Sequence, residues 1–184
     1  MDDLSWMSRT YCLSDRYPEL KKPGIAVVDG KSFAFCSDGH YFIAIETTNG
    51  FDRVLELDGR AKAVMLPKKT TEPPMSVSLS NLKKWLGPAQ WDKICRKCDG
   101  DGCEKCDYEG GIFCDPRYGK LFGIFIDKNL LARALDKFID ETVQISFTGE
   151  RTVFYVESDG WLVGQMPCQD VEAQDEFPDK AEGK

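Results

Sequence analysis

The sequence predicts an α+β domain, and three observations carry that prediction. Short alternating or apolar runs recur along the chain, several of them closed by Asp-Gly or Asn-Gly, the dipeptides of tight hairpins. The last third spells a strand, an amphipathic helix and three more strands. Between the β-rich halves, four of the eight cysteines crowd into one short run.

Residues 1–22 place Leu4, Trp6, Met7 and Tyr11 at roughly helical spacing before Pro18, which predicts a short helix. From Gly24 the pattern turns to strands. Ile25 to Val28 runs into Asp29-Gly30, Ser32 to Cys36 alternates, and Asp38-Gly39 turns the chain into His40 to Ile45. Asn49-Gly50 and Asp58-Gly59 bracket a strand at Val54 to Leu57, and another is expected at Ala63 to Leu66. After a Pro-rich loop, Ser80 is the expected N-cap of a helix from Asn81 to Leu86, with Leu82, Trp85 and Leu86 apolar.

Leu121 to Ile126 reads as one strand. Asp127 caps a helix whose apolar face is Leu130, Leu131, Ala134, Leu135 and Phe138, and whose opposite face carries Asn129, Arg133 and Lys137. Val143, Ile145 and Phe147 alternate with polar residues, the mark of a half-buried strand. Thr152 to Glu157 and Trp161 to Met166 follow, joined by Asp159-Gly160. Residues 169–184 hold six acids, two lysines and little to bury, so a disordered acidic tail is expected.

With 184 residues, 42% of them hydrophobic and 30% charged, the chain can bury a sizeable core. No apolar run approaches the length of a transmembrane helix. The acidic start Met1-Asp2-Asp3 is unlike a signal peptide, so a cytoplasmic location is expected. The net charge of -7 excludes nucleic-acid binding through bulk positive charge. The tail contributes -4 of it, so any DNA contact must come from a local basic face. One histidine, no Gly-x-Ser-x-Gly elbow and no phosphate-binding glycine loop ending in Lys-Ser or Lys-Thr leave no assembled catalytic constellation, and a non-enzymatic role is expected.

Cys95, Cys98, Cys103 and Cys106 form two C-x-x-C pairs. Each pair is a chelating turn, and four thiolates make a closed tetrahedral zinc site with no position left for water. Gly100 and Gly102 permit the tight reversal between the pairs. Disulfides would close very small loops, and an iron–sulfur cluster is the other use of four thiolates. Cys114 is near enough to replace one ligand, whereas Cys12, Cys36 and Cys168 sit in apolar contexts and read as core thiols. The stretch Cys95-x-x-Cys98-x-Gly100-x-Gly102 resembles the repeat of the cysteine-rich domain in J-domain co-chaperones, with one full repeat followed by a degenerate one. The resemblance supports a zinc knuckle with one structural zinc ion expected, and because a metal does the organising there the knuckle reads as an insertion at 88–114 into a domain spanning 1–168.

Ser37-Asp38-Gly39-His40-Tyr41-Phe42 and Ser158-Asp159-Gly160-Trp161-Leu162-Val163 occupy equivalent places in the two halves, an approximate internal repeat. Phe35 to Phe42 resembles the Asp-Gly-His turn of the bacterial DNA polymerase III β sliding clamps. Trp161-Leu162-Val163-Gly164-Gln165-Met166-Pro167-Cys168 is similar to the strand on which that family's chain ends, with Cys168 for its last methionine and Tyr41 for a usual arginine. The resemblance implies a single clamp-like domain: a pseudo-repeated β-α-β-β-β unit with helices on one face of antiparallel sheets. Relatives this compact are expected in phage or mobile-element genomes.

Clamps enclose double-stranded DNA without reading its sequence, helices facing inward. The resemblance therefore nominates Lys83 and Lys84 on one helix and Lys128, Arg133 and Lys137 at the other as DNA contacts, although a solvated helix face would show the same pattern. It also nominates Gly39, His40, Tyr41, Phe42, Met166 and Pro167 for a pocket that takes peptides from replication proteins; a turn histidine with a local hydrogen bond is the plainer role for His40. A lone domain needs copies of itself to close a ring, so a homo-oligomer is expected. Two rivals are a clamp mimic or interaction module that does not encircle DNA, and a zinc-knuckle nucleic-acid or peptide binder on an unrelated β scaffold.

Overall fold

The computed structural model describes residues 24–28, 30–37, 41–47, 73–91, 93–94, 104, 111–112, 114–147, 153–158, 160–169 and 171–178. The helix expected in residues 1–22 and the strands expected at 54–57 and 63–66 lie outside them.

The first half supplies a three-stranded meander, β1 (Gly24–Val28), β2 (Lys31–Ser37) and β3 (Tyr41–Glu46). The predicted turn between β1 and β2 is tight: Val28 pairs with Lys31, and Gly30 takes φ 77°, a backbone conformation that glycine adopts without steric cost. Strand β4 (Met75–Ser78) then leads directly into helix α1 (Leu79–Leu86). Its cap is Ser78 rather than Ser80, because the Ser78 hydroxyl accepts the Asn81 N–H and the helix begins two residues earlier than the sequence predicts.

The expected single strand 121–126 is a hairpin, β7 (Tyr118–Leu121) and β8 (Ile124–Asp127). Phe122 at φ 48° and Gly123 at φ 82° make a turn with both central residues left-handed, the geometry that joins twisted antiparallel strands in two residues. Helix α2 (Lys128–Ala134) follows, and Asp127 caps it as expected by accepting the Asn129 and Leu130 N–H groups. A second meander, β9 (Thr142–Phe147), β10 (Phe154–Ser158) and β11 (Trp161–Gln165), completes the predicted β-α-β-β-β order.

Seven strands form one antiparallel sheet in the order β1-β2-β3-β11-β10-β9-β4. The two meanders meet at β3 and β11, and the register there is symmetric about the Ile43–Val163 pair: Phe42 opposes Gly164 and Ala44 opposes Leu162. Ser37 pairs with Phe42 in one meander as Glu157 pairs with Leu162 in the other. The repeat is therefore a pseudo-two-fold in which Phe42 matches Leu162, not Val163. Burial agrees, since Ile43 and Val163 share one core cluster while Phe42 and Leu162 belong to the other. Matching Phe42 to Val163, as the two Asp-Gly turns alone suggest, would put Phe42 on the wrong face of the sheet.

Both helices cover one face. Leu79, Leu82 and Leu86 of α1, with Leu131, Ala134, Leu135 and Phe138 of α2 and its C-terminal turn, pack on Val77, Val143, Ile145, Val156, Ile43 and Val163. Cys36 is fully buried among them, a core thiol as expected. The other face carries an aromatic cluster of Phe35, Phe42 and Tyr155 with Ala26, Ala44 and Val153. Gly164 is what admits Phe42, for a Cβ there would lie 2.1 Å from the Phe42 ring.

The predicted disordered tail needs correction. Residues 174–177 run beside β7: the Gln174 N–H donates to the Tyr118 carbonyl (2.9 Å), Lys120 N–H to Asp175 carbonyl (2.9 Å) and Phe177 N–H to Lys120 carbonyl (2.8 Å). Phe177 is buried between Trp85 and Phe122. One aromatic residue, added backbone bonds and one ion pair order an otherwise polar segment. Residues 179–184 lie outside the described part.

Candidate functional site

Helix α1 is short, and its outer side carries the two lysines expected to meet DNA. Lys84 is exposed. Lys83 reaches across to the end of α2, where its Nζ donates to the Phe138 carbonyl (2.8 Å) and the Asp136 carbonyl (3.4 Å). Cations placed at a helix C-terminus satisfy carbonyls that have no partner within the helix. Burial pushes the Lys83 ammonium below its usual pKa, and the nearby Asp136 carboxylate works against that shift.

The polar stripe of α2 does not face water. Asn129 and Arg133 are each 2% exposed. The Asn129 carbonyl oxygen accepts the Gln90 N–H (2.7 Å), and the Arg133 guanidinium donates to the Gln90 carbonyl and lies 5.8 Å from the Trp91 ring. The segment after Pro88 therefore lies over the stripe expected to be open to solvent. Arg133 is engaged there, a correction to its placement on an open DNA face. Lys137, the third residue of the stripe, is partly exposed.

Lys128 is likewise turned inward. Its side chain is 8% exposed, its Nζ contacts both oxygens of Asp175 (2.9 and 2.7 Å), and it sits 4.6 Å from the centre of the Trp85 ring. A Cβ at Gly119 would meet both Lys128 and Trp85 within 2.8 Å, so the bare glycine is what lets them stack over β7. Burying an ammonium is tolerated when a carboxylate and an aromatic face replace its water. Of the five nominated cations, Lys84 is exposed and Lys137 partly exposed.

The peptide-pocket residues divide. Gly39, His40 and the Tyr41 side chain lie outside the described residues. Phe42 is 4% exposed and packs against Phe35 and Tyr155 with ring centres 5.7 and 6.4 Å apart, so it is part of the sheet's core rather than an open pocket wall. Met166 is 45% exposed and Pro167 half-buried, just beyond the end of β11. Tyr41 pairs with Gln165 across the β3–β11 ladder, so the backbone does bring the two nominated stretches side by side within one chain.

Asp127 ties this region together. Burial raises its carboxyl pKa, against the pull of the Asn129, Leu130 and Arg117 backbone and of Arg133. Burial and the Asp127 charge push the Cys168 thiol up to about 11, so Cys168 stays protonated near neutrality.

Cys95, Cys98, Cys103 and Cys106 lie outside the described residues. Their flanks do not: β5 (Lys93–Ile94) pairs antiparallel with β6 (Gly111–Ile112), with Ile94 opposite Gly111. Chain entering the cysteine run and chain leaving it therefore meet at one stem. Pro88 is held from the far side by Arg117, whose Nη2 donates to its carbonyl (3.0 Å). Among the described residues no cluster of three metal-ligating side chains occurs, and no helix is long and apolar enough to cross a membrane.

A groove of about 800 Å³ opens between β4, α1 and the C-terminal segment, lined by Met75, Asn81, Lys84, Trp85, Phe122 and Phe177 among others. The sequence gives no sign of it, because Phe122 and Phe177 lie far apart in the chain and the composition of residues 169–184 is mostly polar.

No protein-family model matches the sequence, and no curated protein matches it. Solved structures do. The chain is similar to the DNA polymerase sliding clamp from Bacillus subtilis, with a TM-score of 0.54 at 10% identity over 91% of this chain and 62% of that one. The DNA polymerase III beta subunit from Thermotoga maritima gives 0.51 at 10% identity over 90% and 63%. DNA polymerase III subunit beta from Borrelia burgdorferi gives 0.51 at 10% identity over 92% and 62%. The chain spans about three fifths of the length of the clamps it matches. With the paired meanders and the one-sided helices, these likenesses establish a sliding-clamp-like fold.

Proposed function

We propose that the protein is a non-catalytic, sliding-clamp-like accessory of DNA replication. The observation that carries the reading is the pseudo-two-fold sheet centred on Ile43–Val163 with both helices on one face, the arrangement the clamp resemblance implies. Double-stranded DNA would lie against the helical side, touched through phosphates by Lys84 and Lys137, weakly and without sequence preference. Lys83, Lys128 and Arg133 would join only after giving up the partners described above. Copies of the chain would close the ring. Replication proteins would dock beside Gly39, His40 and Tyr41, with Met166 and Pro167 across the ladder and Phe42 supporting from below.

One structural zinc ion held by Cys95, Cys98, Cys103 and Cys106 belongs to the same proposal. The β5–β6 stem supports it by closing the cysteine run at its base. Metal analysis of purified protein should find about one zinc per chain, removed by Cys98→Ser. Zinc-free native protein would end that part.

The test of the main reading is topological. A cyclic oligomer should be retained on nicked circular DNA and released when the circle is cut, and Lys84→Glu with Lys137→Glu should lower retention severalfold. A monomer with no salt-sensitive retention would refute it. That result would favour the second reading, an interaction module that occupies partner sites without enclosing DNA. This alternative draws support from the acidic balance and from the inward engagement of Lys128 and Arg133. A phage or mobile-element origin fits either reading.

A further inference from the structure

Residues 174–177 bind the rest of the protein as a peptide ligand would. They add a parallel strand to β7 through the Tyr118 and Lys120 backbone, the mode by which extended peptides join open sheet edges. Two side chains fill specific places. Asp175 neutralises buried Lys128, and Phe177 inserts between Trp85 and Phe122, with ring centres at 5.4 and 5.6 Å and both planes at 72°. Glu176, between them, points to solvent, as alternation along a strand requires.

The segment enters the core through one residue, Phe177. Gln174, Asp175, Glu176 and Pro178 are exposed, and Phe177 is the one residue from 169 to 178 that is buried among those described. A segment held by three backbone bonds, an ion pair and one ring opens well below the free energy of global unfolding. The seat is also imperfectly filled, since the Trp85 indole N–H is buried with no acceptor among the described residues. An unsatisfied buried donor is a cost that a differently shaped ligand could remove.

We propose that this seat, formed by the β7 edge with Lys128, Trp85 and Phe122, is a peptide-binding site for extended segments carrying an acid two residues before an aromatic. The chain's own residues 174–177 occupy it in cis, and a protein partner with the same pattern displaces them. The seat uses none of the residues nominated for the clamp-type peptide pocket, and the inference does not depend on the clamp reading.

The test uses a fluorescein-labelled peptide with the sequence of residues 171–178 and the full chain carrying Asp175→Ala and Phe177→Ala. Anisotropy should show saturable binding to this variant at least about tenfold tighter than to wild type, because the tethered tail competes at millimolar effective concentration. A peptide with the same two substitutions should not bind. Absence of binding to a folded variant, or equal affinity for variant and wild type, would overturn the proposal. If the variant does not fold, hydrogen exchange of the wild type decides. The Lys120 and Phe177 amides should exchange faster than those of β10, and exchange of both only with global unfolding would refute displaceability.

Discussion

Replacing Gly164 by alanine probes the seam between the two halves. The new methyl would lie 2.1 Å from Cε1 and 2.6 Å from Cζ of Phe42, where ordinary contact needs at least 3.4 Å. The ring cannot swing away freely, because Phe35 and Tyr155 flank it and it is 4% exposed. Overpacking of this kind costs about 1–3 kcal/mol, and removing a glycine from the unfolded chain returns about 0.5 kcal/mol. The net expectation is a loss of about 2 kcal/mol in urea denaturation, with the m-value unchanged. Phe42→Leu alone leaves a cavity and also destabilises. The pair together should lose less than the sum of the two, with a coupling of about 1 kcal/mol or more. Strict additivity would mean that Phe42 does not fill the space over Gly164. It would return Phe42 to the set of open peptide-contacting residues.

Asp127→Ala should cost about 1 kcal/mol through loss of the α2 cap, whereas Asp127→Asn keeps an acceptor and should be nearly neutral at pH 7. Because burial raises the Asp127 pKa above its usual 3.8 in the folded state, its ionisation weakens the fold. Its contribution falls as pH rises from the ordinary aspartate value through the raised one. Asp127→Asn should remove that slope from a thermal-melt series between pH 4 and about 7; an unchanged slope would refute the assignment. With its thiol pushed up to about 11, Cys168 should react slowly with iodoacetamide at pH 8, its rate still climbing at pH 10. Asp127→Asn should speed that alkylation by removing the neighbouring charge, as peptide mass mapping can measure. A plateau below pH 9 would contradict the shift.

Much of the fold was readable because local chemistry and tertiary role coincide. Asp127 is a cap in isolation and in the structure, and the alternation of Val143, Ile145 and Phe147 needs no partner to interpret. Misreadings arose where one pattern has two physical causes. An apolar run through Phe122 hides a turn, because nothing local marks a phenylalanine held at φ 48°. The stripe Asn129–Arg133 is polar because it meets the backbone of Gln90, and periodicity cannot distinguish a carbonyl from water. Phe177 is one aromatic residue in an acidic stretch, and composition averages it away. For the candidate site, the residue types were legible but their neutralisation was not. The carboxylate that occupies Lys128 lies 47 residues further along the chain.

The Ile43–Val163 seam also bears on synthesis. Strands β3 and β11 pair across 120 residues, so the sheet's central ladder waits until β11 has been made. At ribosomal rates of roughly 5–20 residues per second, translation of the intervening chain takes on the order of ten seconds. During that interval β3 has an unpaired side, and Phe42 lacks the glycine that receives it. Nascent chains are then vulnerable to pairing edge to edge with one another, so slower, cooler expression or a holding chaperone should raise the soluble yield.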